Sequence, residues 1–226
     1  MSNVLILFGA SGDLGRSVLR FSLKDPFFSS IIQIKRGEIL RIGTKSKLVT
    51  ISAPMKDEKD YENIFDSIKF DKNKKYFLFN AIGGFLKGKD ILTDQIETYE
   101  RMFEINYKIP VVLTRLFVKN SYFYKAGSIC FISSFSSLFE TKNNYQYNAS
   151  KNALNSFIES TYTELRESKI SINGIAPNII DTKENRGWVD NPAEMTKPEE
   201  IYKTALFFFQ NYKFISGNII RLNGKK

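Results

Sequence analysis

Tyr147 and Lys151 stand four residues apart in the segment YNASK, and Ser134 lies thirteen residues before Tyr147, at the end of the apolar run SICFIS. The pattern YNASKNALNSFIESTYTELRES predicts a helix. A helix sets an i,i+4 pair one turn apart on a single face. An ammonium held there favours the phenolate of a nearby tyrosine, whose ordinary pKa is about 10. A tyrosine tuned this way can pass a proton to or from an alcohol oxygen near neutral pH. A serine hydroxyl at the end of the preceding strand can hold the same oxygen by a hydrogen bond. Y-x-x-x-K also occurs on surface helices that do no chemistry, so its weight depends on the rest of the chain.

Composition removes most of the alternatives. The 226 residues contain no histidine, which excludes Ser-His-Asp and Cys-His nucleophilic sites, histidine-ligated zinc and histidine general bases. The single cysteine, Cys130, forbids an internal disulfide and any cysteine-rich metal site, as expected of a reducing compartment. It lies within SICFIS and reads as a small buried hydrophobe; no metal site is expected. The formal charge of +9 would suit nucleic acid or a phosphate-bearing cofactor. The densest basic runs, KNKK at 72–75 and KSK at 45–47, are not interleaved with aromatics, so a solvated surface and no nucleic-acid partner are expected. No apolar run approaches the roughly 20 residues of a membrane span, and VLILF is too short for a signal-peptide core. A cytoplasmic protein without a membrane partner is the expectation.

The elements that must position these residues alternate in type. Val4–Phe8 reads as a strand buried on both faces. It runs into GASGDLG, with glycines at 9, 12 and 15, and then into a helix from LGRSVLRFSLK. Strand, glycine turn and helix together are the context of a nucleotide site, since the glycines admit a pyrophosphate and the helix N-terminus offers free N–H groups. Either Ile31–Ile34 or Ile39–Ile42 can supply the second strand. Lys47–Ser52, Tyr76–Phe79, Ser128–Ile132, Ile170–Ile175 and Asn218–Leu222 supply the next five. Helices are expected over KDEKDYENIFDSIKF, from Asp94 to Lys119 with a kink at Pro110, and over PEEIYKTALFFFQ. The expectation is one α/β domain over residues 1–226: a doubly wound Rossmann-type fold of about seven mostly parallel strands, with helices on both faces.

Over nearly its whole length the chain resembles a short-chain dehydrogenase/reductase. The matching residues are GASGDLG at 9–15, NAIGG at 80–84, Asn106 in INYKIP, Ser134, YNASK at 147–151 and IAPNIIDT at 175–182, in the family's order and spacing. The resemblance implies a nicotinamide cofactor at the strand C-termini and interconversion of a carbonyl and an alcohol by hydride transfer. It implies Tyr147 as acid/base, with Lys151 lowering its pKa and holding the nicotinamide ribose. Ser134 would orient the substrate carbonyl, and Asn106 would bend its helix and anchor a water of the proton relay. Gly9, Ser11, Gly12, Asp13, Leu14 and Gly15 would carry the cofactor phosphates. Asn80, Ala81, Ile82 and Gly83 would line the cleft, and Pro177, Ile180 and Thr182 would meet the nicotinamide end.

The sequence departs from the family at several points. Phe8 and Asp13 stand where the usual loop has threonine and its middle glycine. Pro177-Asn178 replaces Pro-Gly, with asparagine able to adopt the left-handed backbone expected there. Ser137 replaces a glycine after the catalytic serine, and SAPM around Pro54 lacks the acid that commonly contacts adenine. Both candidate ends of strand two lack an acid for a ribose 2′-OH and carry cations instead, Lys35 and Arg36 or Thr44 and Lys45. NADP(H) is therefore favoured over NAD(H). The segment Lys183–Lys197 corresponds to the family's substrate lid, where Asn185, Arg186 and Trp188 could cover a polar compound. Helices 96–119 and 145–167 carry more aromatics than one core stripe needs, including Tyr107, Phe117, Phe157 and Tyr162, so a homodimer or homotetramer is expected. The competing reading is a nucleotide-binding regulator or scaffold of the same fold that has lost its chemistry.

Overall fold

The computed structural model describes residues 2–38, 40–45, 47–86, 91–138, 144–187, 189 and 191–223, the stretch 40–45 by its backbone alone. Eight strands form one sheet: β1 (Ser2–Phe8), β2 (Ser30–Arg36), β3 (Leu40–Lys45), β4 (Leu48–Ala53), β5 (Lys74–Asn80), β6 (Ala126–Ile132), β7 (Ile170–Pro177) and β8 (Ile219–Leu222). Their order is β3-β4-β2-β1-β5-β6-β7-β8. Seven strands are mutually parallel, and only the edge strand β3 pairs antiparallel, with β4. The doubly wound, mostly parallel sheet expected from the sequence is the sheet observed, with one antiparallel edge added.

Side chains of β1 alternate between two cores, as strand geometry requires. Val4, Ile6 and Phe8 pack with α2 (Glu58–Ser67), α4 (Ile109–Lys119) and α5 (Tyr145–Glu164). Leu5 and Leu7 pack with α1 (Asp13–Lys24) and α6 (Pro198–Gln210) on the other face. Burial on both faces explains why the central strands read as continuous apolar runs. The order of strands reverses between β1 and β5, and a fold of this type opens a crevice at that point, outside the strand C-termini.

The register decides which segment is strand two. Ser30–Arg36 lies beside β1, with Ile34 opposite Phe8, so Lys35 and Arg36 reach past the start of the glycine loop. The other candidate is β3, which runs back along β4 with Lys45 opposite Leu48 at the start of that strand. Thr44 and Lys45 are therefore at the far end of the sheet from the glycine loop, which removes them from the cofactor positions.

The long helix expected from Asp94 to Lys119 is divided. An α-helix, α3 (Ile96–Phe103), passes into a π-helical turn at Glu104–Lys108 before α4 begins. The break is centred on Asn106, and Pro110 lies in the first turn of α4 instead of at a kink of its own. The two features act together. Pro110 has no N–H, so the Asn106 carbonyl lacks its ordinary donor four residues on, and the π turn spreads the ladder there, with the Ile109 N–H reaching back to Glu104 O.

Candidate active site

Lys151 on α5 is buried, 4% exposed, and donates from Nζ to the carbonyl of Ile132 at the C-terminal end of β6 (2.8 Å). Its Nζ lies 5.9 Å from the centre of the Tyr147 ring, one helical turn away. Ser134, two residues past the end of β6, acts on the Tyr147 phenol, and its Oγ is hydrogen-bonded to Ser136 Oγ (2.9 Å). One helix face and the segment after one strand end bring the three near one another.

Asn106 enters from the π turn and is 1% exposed. Its Oδ1 accepts from the Gly84 N–H (3.1 Å), while Nδ2 donates to Gly84 O (3.0 Å) and to Ser150 Oγ (3.1 Å). The residue thus ties α5 to the loop that follows β5. That loop starts at Asn80, whose side chain accepts from the Ile82 N–H (3.1 Å) and donates to Ile82 O (3.2 Å). Gly83 comes next, where a Cβ would stand 3.4 Å from both Asn106 Oδ1 and Lys151 Nζ. The absence of a side chain at Gly83 keeps the space between the lysine and the asparagine open.

Neither titrating group keeps its solution pKa. Burial brings the Lys151 ammonium down from 10.5 to about 7. Burial also raises the Tyr147 phenol, and the hydrogen bond from Ser134 pulls the other way. Desolvation opposes the charged form of each group.

The glycine loop is built around two tight approaches. Gly9 has φ of 76°, and a Cβ there would lie 2.8 Å from the Ala81 carbonyl carbon. A Cβ on Gly15 would lie 2.0 Å from Gly9 O. Gly12 caps α1 in an extended conformation, and its Cβ direction meets only Gly9 O, at 3.6 Å. Ser11, Asp13 and Leu14 complete the turn into α1. Asp13, the residue that departs from the family loop, forms an ion pair with Arg16, and Arg16 also donates to Ser11 O. The Asp13 charge is thereby countered where phosphate would approach. Arg16 was missed from the sequence, although an acid and a base three apart in a first helical turn is a legible signal.

Across the cleft, Pro177 ends β7, and Ile180 bridges to Thr196. Thr182 donates its N–H to Ile180 O (2.8 Å), and its Oγ1 accepts from the Asn185 N–H (3.2 Å). Asn178 does not use left-handed backbone, since Met55 is the only non-glycine residue with positive φ among the described residues. Two of the lid residues are engaged within their own loop: Asn185 Nδ2 donates to Ile180 O (2.9 Å), and Arg186 is paired with Asp181. Trp188 lies outside the described residues. Ser137, in place of a glycine, donates to Ser134 O (2.7 Å) and accepts from Asn155 (3.1 Å), which braces the serine loop. Phe85, not singled out from the sequence, packs edge-on against the Tyr147 ring with centroids 5.1 Å apart. Cys130 is buried, and burial drives its thiol pKa well up. No group of acids and cysteine able to hold a metal is present among the described residues.

The fold is a Rossmann-type sheet flanked by helices, with Tyr147, Lys151, Ser134 and Asn106 near one another beside the strand C-termini. The short chain dehydrogenase profile matches residues 3–193, and the chain belongs to that family. Among curated relatives it is 22% identical to carbonyl reductase family member 4 of Xenopus laevis and 21% identical to 3-oxoacyl-[acyl-carrier-protein] reductase of Bos taurus, in each case over 99% of this chain and 98% of the relative. Among solved structures, a short chain dehydrogenase family protein from Francisella tularensis superposes with a TM-score of 0.78 at 23% identity, covering 99% of this chain and 98% of that one. A variant of actinorhodin polyketide ketoreductase with NADPH superposes with a TM-score of 0.80 at 14% identity, covering 99% and 96%. These likenesses in structure speak for the fold.

Proposed function

We propose that the chain, as one domain over residues 1–226, interconverts a small-molecule carbonyl and its alcohol with a nicotinamide dinucleotide, NADP(H) in preference to NAD(H). The observation that carries this reading is the convergence of Tyr147, Ser134, Lys151 and Asn106 around one glycine-lined opening. A bound dinucleotide supplies the hydride. The residues present fit such a group: Gly12 leaves its Cβ direction open at the N-terminus of α1, and Gly83 leaves room beside Lys151.

The protein's own part is proton handling and orientation. Ser134 Oγ and Tyr147 Oη present donors to a substrate oxygen. A tyrosine whose pKa is held up by burial keeps its proton at neutral pH and is a competent acid toward a carbonyl oxygen gaining charge. Lys151, held by Ile132 O, lies one turn below and can take up or return a proton near neutrality because its own pKa is close to 7. Asn106 fixes Gly84 and Ser150, and through them the spacing of α5 from the cleft loop. Phe85 shields the phenol from water.

Lys35 and Arg36 at the end of β2 support the preference for a 2′-phosphate, the nearest following acid being Glu38, two residues past the strand. The test is loss of NADPH absorbance with a panel of ketones, quinones and 3-oxoacyl thioesters. Wild type should turn over at least one class. Tyr147→Phe should lose turnover by more than tenfold and still bind NADPH. Wild-type binding of NADPH without turnover of any class would favour the regulator reading. Retention of a tenth of wild-type kcat in Tyr147→Phe would remove Tyr147 as acid/base.

A further inference from the structure

At the end of the sheet opposite the active site lies an open cleft of about 670 Å³, lined by the starts of β5, β6 and β7 and by the connections before β7 and β8. Seven-residue β6 separates it from Ser134 by about 20 Å at ~3.3 Å per residue. Five cations line it: Lys75, Lys125, Arg166, Lys169 and Lys213, without one carboxylate among the lining residues. Elsewhere the described cations are often neutralised, as in Arg16–Asp13, Lys108–Glu104, Arg186–Asp181 and Lys203–Glu199, but no such pair involves these five. Glu164 and Glu167 flank Arg166 in sequence and stay out of the lining.

Concentrating charge of one sign in a concave site raises its potential and draws in counter-charge. Aromatic surface lies in the same cleft. Tyr162 is 37% exposed and Phe214 87%, and Lys75 Nζ sits 5.1 Å over the Tyr212 ring. An almost fully exposed phenylalanine beside unpaired cations offers a planar group a face to stack on, next to donors for phosphate. The volume falls within the range of small-molecule sites. We propose that this cleft is a second ligand site, separate from the catalytic one, and that it takes a free nucleotide: a planar ring against Phe214 and Tyr162, with two or more phosphates among the five cations.

The test compares etheno-ATP binding, by fluorescence anisotropy, to the full chain and to Lys125→Glu/Lys169→Glu. Both side chains are exposed, so the fold should persist, as circular dichroism checks; Arg166→Glu/Lys213→Glu replaces this variant if it does not. Binding at the glycine loop is common to both proteins and cancels in the comparison. NADPH affinity, unchanged in the variant, keeps failure here distinct from failure of the catalytic reading. The expected result is at least about tenfold weaker etheno-ATP binding in the variant. Equal affinity in the two proteins would overturn the proposal. So would displacement by tripolyphosphate as effective as by ATP, which would leave an anion site without ring recognition. A labelled oligothymidylate bound tenfold more tightly than etheno-ATP, with steep salt dependence, would replace the free nucleotide by a strand. A fall in particle mass on charge reversal would assign the cleft to a second copy of the chain.

Discussion

Lys151→Met should make the ligand-free protein more stable at neutral and acid pH while removing its activity. The folded-state pKa of Lys151 is brought down by burial from 10.5 to about 7. The unfolded chain therefore takes up this proton first as pH falls, and stability declines from about pH 10.5 to about pH 7 and is flat below. At 1.36 kcal/mol per pH unit the cost below pH 7 is about 5 kcal/mol. Methionine is unbranched and apolar, close to the lysine stem in shape, and carries no such cost. The substitution forfeits the hydrogen bond from Nζ to Ile132 O, about 1.5–3 kcal/mol for a charged donor. The balance is about 2 kcal/mol in favour of the variant, or roughly 4–8 °C in Tm for a chain of this size. Above pH 10.5 the lysine is neutral in both states, and the variant should be equal to wild type or about 1 kcal/mol less stable. Thermal melts at pH 6, 8 and 10.5 without cofactor decide it. A variant that melts several degrees below wild type at pH 6 would refute the reasoning, because Lys151 would then be stabilising the fold as a charged group. With NADPH present the order should change, since only wild type keeps the ammonium for the cofactor.

Gly15→Ala should destabilise the chain by about 1–3 kcal/mol or more, because the new Cβ meets Gly9 O at 2.0 Å; chemical denaturation reads this, and NADPH binding should fall with it. Charge reversal of Lys35 and Arg36 together should weaken NADPH about tenfold or more relative to NADH, measured by titration at equal ionic strength; an unchanged ratio would place the 2′-phosphate elsewhere. Light scattering at micromolar concentration should give the mass of a homodimer or homotetramer, and a monomer mass would contradict it. The surface for this assembly is narrower than the aromatic count suggested, since Phe117 is fully buried, Tyr107 and Phe157 pack on each other, and Tyr162 lines the basal cleft.

Much of the site was legible because it is written in local spacing. A helix places Tyr147 and Lys151 on one face wherever it sits, and a glycine turn between a buried strand and a helix has few other uses. The central strands were legible for the same reason, since burial on both faces leaves unbroken apolar runs such as Val4–Phe8. The identity of strand two was not, because two short apolar segments had the same periodicity and only the register beside β1 separates them. The π turn was also hidden: Pro110 signalled an irregularity, but its place and its effect on the Asn106 carbonyl depend on packing between α3, α4 and α5. Phe85 on Tyr147 and the five cations of the basal cleft come from distant or folded-back segments that no spacing rule joins, whereas Arg16 on Asp13 is a local pair three residues apart. The pKa values of Tyr147 and Lys151 show the division most clearly. Sequence placed the two groups side by side, which argues for a lowered tyrosine and a charged lysine. The tertiary structure buried Lys151 and half-buried Tyr147, and desolvation, which depends on everything packed around them, set the sign for each.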